Sequence, residues 1–272
     1  MSYDGKRILE GAPNARDLGG METSDGRVLR KNRLIRSGAL AWLTDADTEY
    51  LKKAGLRTVV DLRTEREIYE RPDLVIEGVQ YVHCPILEMK TDALTREKPQ
   101  TLDEEAQGDI LMAKRLMAKN PDGREQMRSL YPKLVSLDHA VTHYRRFFDI
   151  LLRHSEGALI YHCTMGKDRA GTATALLLSA LGVPRDTIVS DYMLTAERCA
   201  PRTAILLEHC RKFCDDEAIL EYVYRLDTVE EGFIGATFET IDALYGGMDA
   251  FLREKMSLDG EKLARLKKLY LD

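Results

Sequence analysis

A chain of 272 residues with 44% apolar side chains has enough core-forming material for one large domain or two small ones. Its 40 basic and 45 acidic side chains leave a net charge of −5, where a general nucleic-acid binder would show a basic excess. No apolar run approaches the length of a membrane span, and the stretch from Met1 to Arg7 leads into no apolar signal segment. Taken in order, the first thirty residues are rich in loop signals, with a turn at Ser24-Asp25-Gly26, and Arg33-Leu34-Ile35-Arg36-Ser37 reads as a strand. Thr44 caps a helix that stops at Gly55, with Asp45 and Asp47 in its first turn favouring the positive end of the dipole. Arg57-Thr58-Val59-Val60-Asp61-Leu62 is a β-branched strand, and Thr64-Glu65-Arg66-Glu67 is a capping box for a short helix ended by Pro72. Val79 to Pro85 is the next strand.

From Glu88 to Asn120 the chain is charged, and its periodic piece, Leu102 to Met117, predicts a helical insertion ended by Asn120-Pro121-Asp122-Gly123. Ser136 is expected to cap an amphipathic helix carrying Val141, Tyr144, Phe147, Phe148 and Leu151-Leu152, which delivers the chain to a strand at Ala158. Later, Gly182 reads as a helix stop, and Pro184 restarts a helix towards Arg198. Helical patterns continue from Pro201 to the C-terminus, with breaks expected near Gly232, Gly246-Gly247 and Asp259-Gly260. Helices between strands imply an α/β fold, a central, mostly parallel sheet flanked by helices. No clean linker or repeat appears, so residues 1–272 read as one domain with a helical C-terminal part.

The chemistry concentrates between Ala158 and Leu178. Ala158-Leu159-Ile160 leads into Tyr161-His162-Cys163-Thr164-Met165-Gly166-Lys167-Asp168-Arg169-Ala170-Gly171, and the helix-forming run Thr172 to Leu178 follows. The order is strand, tight loop, helix, with Cys163 and Arg169 spaced as Cys-x5-Arg. A loop of that length wraps one tetrahedral oxyanion: amides of Thr164, Met165, Gly166, Lys167 and Asp168 point inward at a helix N-terminus, and the Arg169 guanidinium closes the ring. Such a field favours a Cys163 thiolate as nucleophile. Asp61 and Arg63 sit at the end of another strand, where open α/β sheets bind ligands.

This loop resembles the His-Cys-x5-Arg signature loop of the cysteine-dependent phosphatases. His-Cys-x-x-Gly-Lys-Asp-Arg is similar, more narrowly, to that of the atypical bacterial tyrosine phosphatases, some of which also cleave phosphoinositides. Asn14-Ala15-Arg16-Asp17-Leu18-Gly19-Gly20, Val60-Asp61-Leu62-Arg63, Asp191-Tyr192 and Tyr245-Gly246 are similar to further motifs of that family, in the same order. The resemblance implies a dual-specificity-like phosphatase fold with a helical lid over the site. It also implies two-step phosphoryl transfer through a phosphocysteine on Cys163, with Arg169 and the loop amides on the equatorial oxygens. Neither metal nor organic cofactor is needed. His162 would orient the nucleophile, Arg16 and Asp17 would brace the loop, and Asp168 would be the proton donor, since no Trp-Pro-Asp-like segment is present and the single Trp is Trp42. Lys167 would add a rim cation for a second phosphate, as in an inositol lipid headgroup, or remain a solvated charge. One departure stands out: Ala170 occupies a position where such loops usually carry Ser or Thr, whose hydroxyl stabilises the departing thiolate.

The expected partners are phosphorylated proteins or phosphoinositides, and an inositol-polyphosphate phosphatase or a non-catalytic phosphate-binding module are the alternatives. A rhodanese-like sulfur carrier would have a loop one residue shorter and leave the Asn14 and Asp61 motifs unexplained. Cys199, His209, Cys210 and Cys214 invite a metal reading, but they lack the tight paired spacing of a zinc site, and buried thiols explain them as well. Five cysteines without the spacing of a disulfide framework favour reduced thiols and a cytoplasmic location, with signal-less export compatible with the same facts.

Overall fold

The computed structural model describes residues 3–88 and 101–272. Among them, β1 (Arg16–Asp17), β2 (Leu34–Ser37), β3 (Leu56–Asp61), β4 (Gln80–His83) and β5 (Ala158–His162) form one sheet in the order β1-β2-β5-β3-β4. β2, β5, β3 and β4 run parallel, and β1 is antiparallel to β2. The register places Ser37 on one side of His162 and Asp61 on the other, so three strands end together where Cys163 begins the loop. Alternation along the strands sorts the core: Leu34, Val60, Leu159 and Tyr161 face one cluster, while Ile35, Val59, Ala158 and Ile160 face the other. Each such fully buried aliphatic side chain contributes about 1.5–3 kcal/mol.

The helices α1 (Asp45–Lys53) and α2 (Glu65–Glu70) begin at the caps the sequence places at Thr44 and Thr64, and both caps, not the second alone, are complete capping boxes. The Thr44 and Thr64 hydroxyls accept the third helical amide, and Asp47 and Glu67 return the bond to the threonine amide. α3 (Leu102–Met117) is the predicted insertion, with its bounds as read; the part of the charged segment over 89–100 lies outside the described residues.

Two short helices then appear that the sequence reading passed over, α4 (Gly123–Arg128), capped by Asp122, and α5 (Leu130–Ser136). Ser136 therefore closes α5 and does not cap α6 (Asp138–Arg153), which starts after an extended Leu137 without a side-chain cap. The heptapeptide of α5 is too short for a periodic signal, and Pro132 in its first turn reads as punctuation.

Beyond the loop come α7 (Asp168–Leu181), closed by left-handed Gly182, and α8 (Arg185–Arg211). α8 runs on through Pro201, past the predicted end at Arg198. Its distal half buries Thr203, Leu206 and Cys210 against α3 and α9 (Glu217–Asp227), and that packing offsets the hydrogen bond lost at proline. α10 (Glu231–Tyr245), α11 (Met248–Glu254) and α12 (Gly260–Tyr270) complete the chain, and the break expected near Gly232 falls over 228–230, just before α10. α3, α8 and α9 share a satellite core that includes Ala106, Ile110, Leu206, Cys210, Leu220 and Val223. Among the described residues no helix is long and apolar enough to cross a membrane.

Candidate active site

β5 is buried along its whole length and fixes where Cys163 emerges; Cys163 itself is buried at the floor of the loop. The turn is possible because of Gly166. Its φ of 65° is left-handed, and a Cβ there would lie 2.6 Å from the Ser37 carbonyl, so no other residue fits. The loop is thereby pressed onto the end of β2.

Its carbonyls are held from outside. Ala39 N–H donates to Thr164 O at 3.0 Å, Asn14 Nδ2 donates to Gly166 O at 2.8 Å, and Arg36 donates through Nε to Gly166 O at 3.0 Å and through Nη2 to Lys167 O at 3.2 Å. Outward carbonyls leave the amides for the inside of the turn.

Behind this bracing lies a fully buried ion cluster. Asp191 accepts Arg16 Nε at 2.8 Å and Arg36 Nη1 at 3.0 Å, and Tyr3 donates to it as well. Burial opposes its charge, but the two guanidiniums prevail and draw the Asp191 carboxyl down to about 2. Arg16 reaches the loop through Asn14, donating to Asn14 Oδ1 at 2.5 Å. Asp17 does not join it: its carboxylate accepts the Gly19 and Asn32 amides at 3.0 and 2.8 Å, tying a turn beside β1. Arg36 and Asn14 are loop-bracing residues that the sequence reading left unassigned, and Asn14 stood only within a quoted motif.

Asp61 and Arg63 form a second buried group under the loop. Arg63 donates to Asp61 at 2.7 and 2.9 Å and reaches Asp73 Oδ2 at 2.9 Å. His162 Nε2 lies 3.1 Å from the same Asp73 oxygen, and its Nδ1 lies 3.2 Å from Cys163 O. Burial disfavours the imidazolium, yet Asp61 and Asp73 raise the His162 pKa above its ordinary value. Asp61, Asp73 and His162 have the donor types of a cation site, but Arg63 already supplies the positive charge among them. Among the described residues Cys199, His209, Cys210 and Cys214 do not converge as a ligand group, and His209 pairs with Asp103 at 2.5 Å. All five cysteines are free thiols, and burial pushes Cys84 up to about 12 and Cys199 and Cys210 up to about 11.

At the mouth, Arg169 pairs end-on with Glu67: Nη1 to Oε2 and Nη2 to Oε1, both 2.6 Å. Thr164 Oγ1 also donates to Glu67, at 2.5 Å. Burial alone would raise the Glu67 carboxyl, but Arg169 and Thr164 hold it far below the usual carboxylate range. Glu67 is thus both the capping-box acid of α2 and the partner of the signature arginine, and its sequence context announces only the first.

Asp168 opens α7 and accepts the Tyr131 hydroxyl at 2.5 Å. Lys167 is not on the rim. It is 3% exposed, and its amine donates to Leu226 O at 2.6 Å and Thr228 O at 3.2 Å, at the end of α9. Ala170 is fully buried, Thr164 is committed to Glu67, and Thr172 is buried beneath the loop.

A sequence model of the tyrosine phosphatase family matches residues 8–272. A Cupriavidus necator protein that bears the name tyrosine-protein phosphatase is 33% identical over 260 residues, covering 95% of this chain and 85% of that protein. The triple specificity protein phosphatase PtpB of Mycobacterium tuberculosis is 28% identical over 268 residues, 91% of this chain and 93% of its own. A tyrosine-protein phosphatase of Nostoc commune is 29% identical over 162 residues, 60% of this chain and 48% of that protein.

Proposed function

The chain belongs to the tyrosine phosphatase family, and from that premise we propose that it hydrolyses phosphomonoesters, phosphotyrosyl proteins first, through a phosphocysteine on Cys163. The observation that carries this reading is the loop itself: Cys163 at its floor, its carbonyls tied outward to Asn14, Arg36 and Ala39, and Arg169 across its mouth. Cys163 Sγ attacks phosphorus, the S–P bond forms as the P–O bond to the leaving group breaks, and the leaving oxygen takes a proton from Asp168. Water then attacks phosphorus, returns a proton to Asp168 and releases the thiolate. Arg169 has five N–H donors, of which Glu67 takes one from each terminal nitrogen. Nε–H and the second N–H of Nη1 remain for equatorial oxygens, while Nη2 also donates to Thr164 Oγ1 at 3.5 Å. His162 fixes the nucleophile's backbone, Asp73 faces the His162 ring, and Arg63 holds Asp73 and Asp61 in place.

Phosphoinositides are the second substrate class proposed, on the resemblance of the Gly-Lys-Asp-Arg loop to that of phosphatases some of which also cleave them. That class would draw Lys167 away from its two carbonyls. Free thiols throughout support a reducing, cytoplasmic setting, and residues 1–272 act as one phosphatase domain.

The test is Cys163→Ser, assayed with phosphotyrosyl peptides, phosphoinositides and soluble inositol phosphates. Turnover should vanish on every substrate while phosphate-ester binding persists, and Cys84, Cys199, Cys210 and Cys214 should each tolerate Ser. Normal kcat in Cys163→Ser would overturn the assignment.

A further inference from the structure

Asp168 is not alone at the start of α7. Tyr131 OH donates to its Oδ1 at 2.5 Å, and the same phenol oxygen lies 2.5 Å from Tyr192 OH. A phenol carries one proton. Since Tyr131 gives its proton to the carboxylate, Tyr192 must give its own to Tyr131, and the three groups form one directed chain from α8 through α5 to α7. The rings are fixed: Tyr131 meets Tyr192 edge-on at 6.2 Å and lies 5.9 Å from Phe233, and both phenols are buried. Burial, first of all, pushes both phenols well above 10, so they stay neutral donors and no proton passes along the chain. The other carboxyl oxygen, Oδ2, has Lys167 Nζ 3.8 Å away, and the Asp168 side chain keeps 20% of its surface exposed. Arg169 and Tyr144 also feel its charge.

We propose that Tyr131, backed by Tyr192, is a positioning residue for proton transfer: it fixes Asp168 Oδ1 and so reserves Oδ2 to carry the proton. The proposal rests on Asp168 being the proton donor. In the first step the Oδ2–H bond breaks as the leaving oxygen gains that proton, and the carboxylate is steadied by the Tyr131 donor. In the second, water's proton returns to Oδ2 as its oxygen bonds to phosphorus.

Two variants, each assayed with an alkyl phosphate and an activated aryl phosphate over a range of pH, separate this proposal from its premise. Asp168→Asn should slow the alkyl ester far more than the aryl ester, by roughly 10²-fold or more, the usual scale of general-acid catalysis. Tyr131→Phe keeps the ring and removes only the donor. It should slow the alkyl ester about tenfold relative to the aryl ester, on the same scale. It should also move the descending limb of the alkyl-ester kcat/KM profile to higher pH, because the carboxylate has lost a stabilising hydrogen bond. Tyr192→Phe should move that limb the same way by less, and it carries the test if Tyr131→Phe does not fold. A selective loss in Asp168→Asn with an unmoved limb and equal losses in the tyrosine variants would overturn the positioning role. Equal losses on both esters in Asp168→Asn would instead remove the premise.

Discussion

Two arginine–carboxylate clusters touch the signature loop from opposite sides, and water separates their roles. At the back, Arg16 and Arg36 close on Asp191 with every side chain at 0% exposure. At the mouth, Arg169 closes on Glu67 with 12% and 27% exposure. Distances and chemistry are nearly the same. A pair sealed from water has no exchange partner, and separating it leaves a bare charge in a poorly polarisable interior. A pair at the mouth keeps guanidinium donors facing water, where the oxygens of an entering anion can bind beside the carboxylate. Burial makes the first a strut and leaves the second a site.

The largest expected effect would break that contrast at the strut. Asp191→Asn strands two buried guanidiniums and should cost about 3–5 kcal/mol, read as a lower urea midpoint. Arg169→Lys keeps the charge at the mouth and loses the fork. It should cost about 10²–10³ in kcat while changing stability by less than about 1 kcal/mol. If both variants lost stability alike, the contrast would be void.

Acid sharpens it further. The folded-state pKa values of Glu67 and Asp191 are both depressed, so the stability each brings is present above its unfolded value and lost as pH falls. For Glu67 the loss begins below about 4.5, and for Asp191 it runs from about 3.8 towards about 2. Glu67→Gln should therefore make the acid limb shallower from about 4.5 downwards, leaving the loss that Asp191 brings between about 3.8 and about 2; an unchanged curve would mean that the mouth pair adds nothing to folding. The smallest effect is a matched pair of caps. Thr44→Ala and Thr64→Ala should each cost about 1 kcal/mol, but only Thr64→Ala, which loosens the helix that carries Glu67, should also weaken phosphate binding.

The strut was the least legible part of the sequence. β3 announces itself through a β-branched run, β2 and β5 through short apolar runs, and the Cys163–Arg169 loop through its spacing, because those signals are local. Arg36 was readable only as a strand residue, although its partner Asp191 lies 155 residues on. Glu67 was readable as a capping acid, yet Arg169 lies 102 residues away. Tyr131 sits in a helix of seven residues that hides behind Pro132. Lys167 was expected to face solvent because a lone lysine on a loop usually does, and the end of α9 claims it instead. What a side chain meets across the fold is set by how the helices stack, which local pattern does not encode.

The grip of Lys167 on Leu226 O and Thr228 O ties two bodies with different cores, the sheet that carries the loop and the α3–α8–α9 satellite. A cation on the last carbonyls of a helix favours the closed end of that helix. Whatever anion draws the amine towards the loop weakens the last turn of α9 by the same free energy, and whatever frays that turn returns the amine to the loop with equal force. The consequence is reciprocity: for a ligand that draws Lys167, amide hydrogen exchange at the end of α9 becomes a gauge of binding, read from the far side of one lysine.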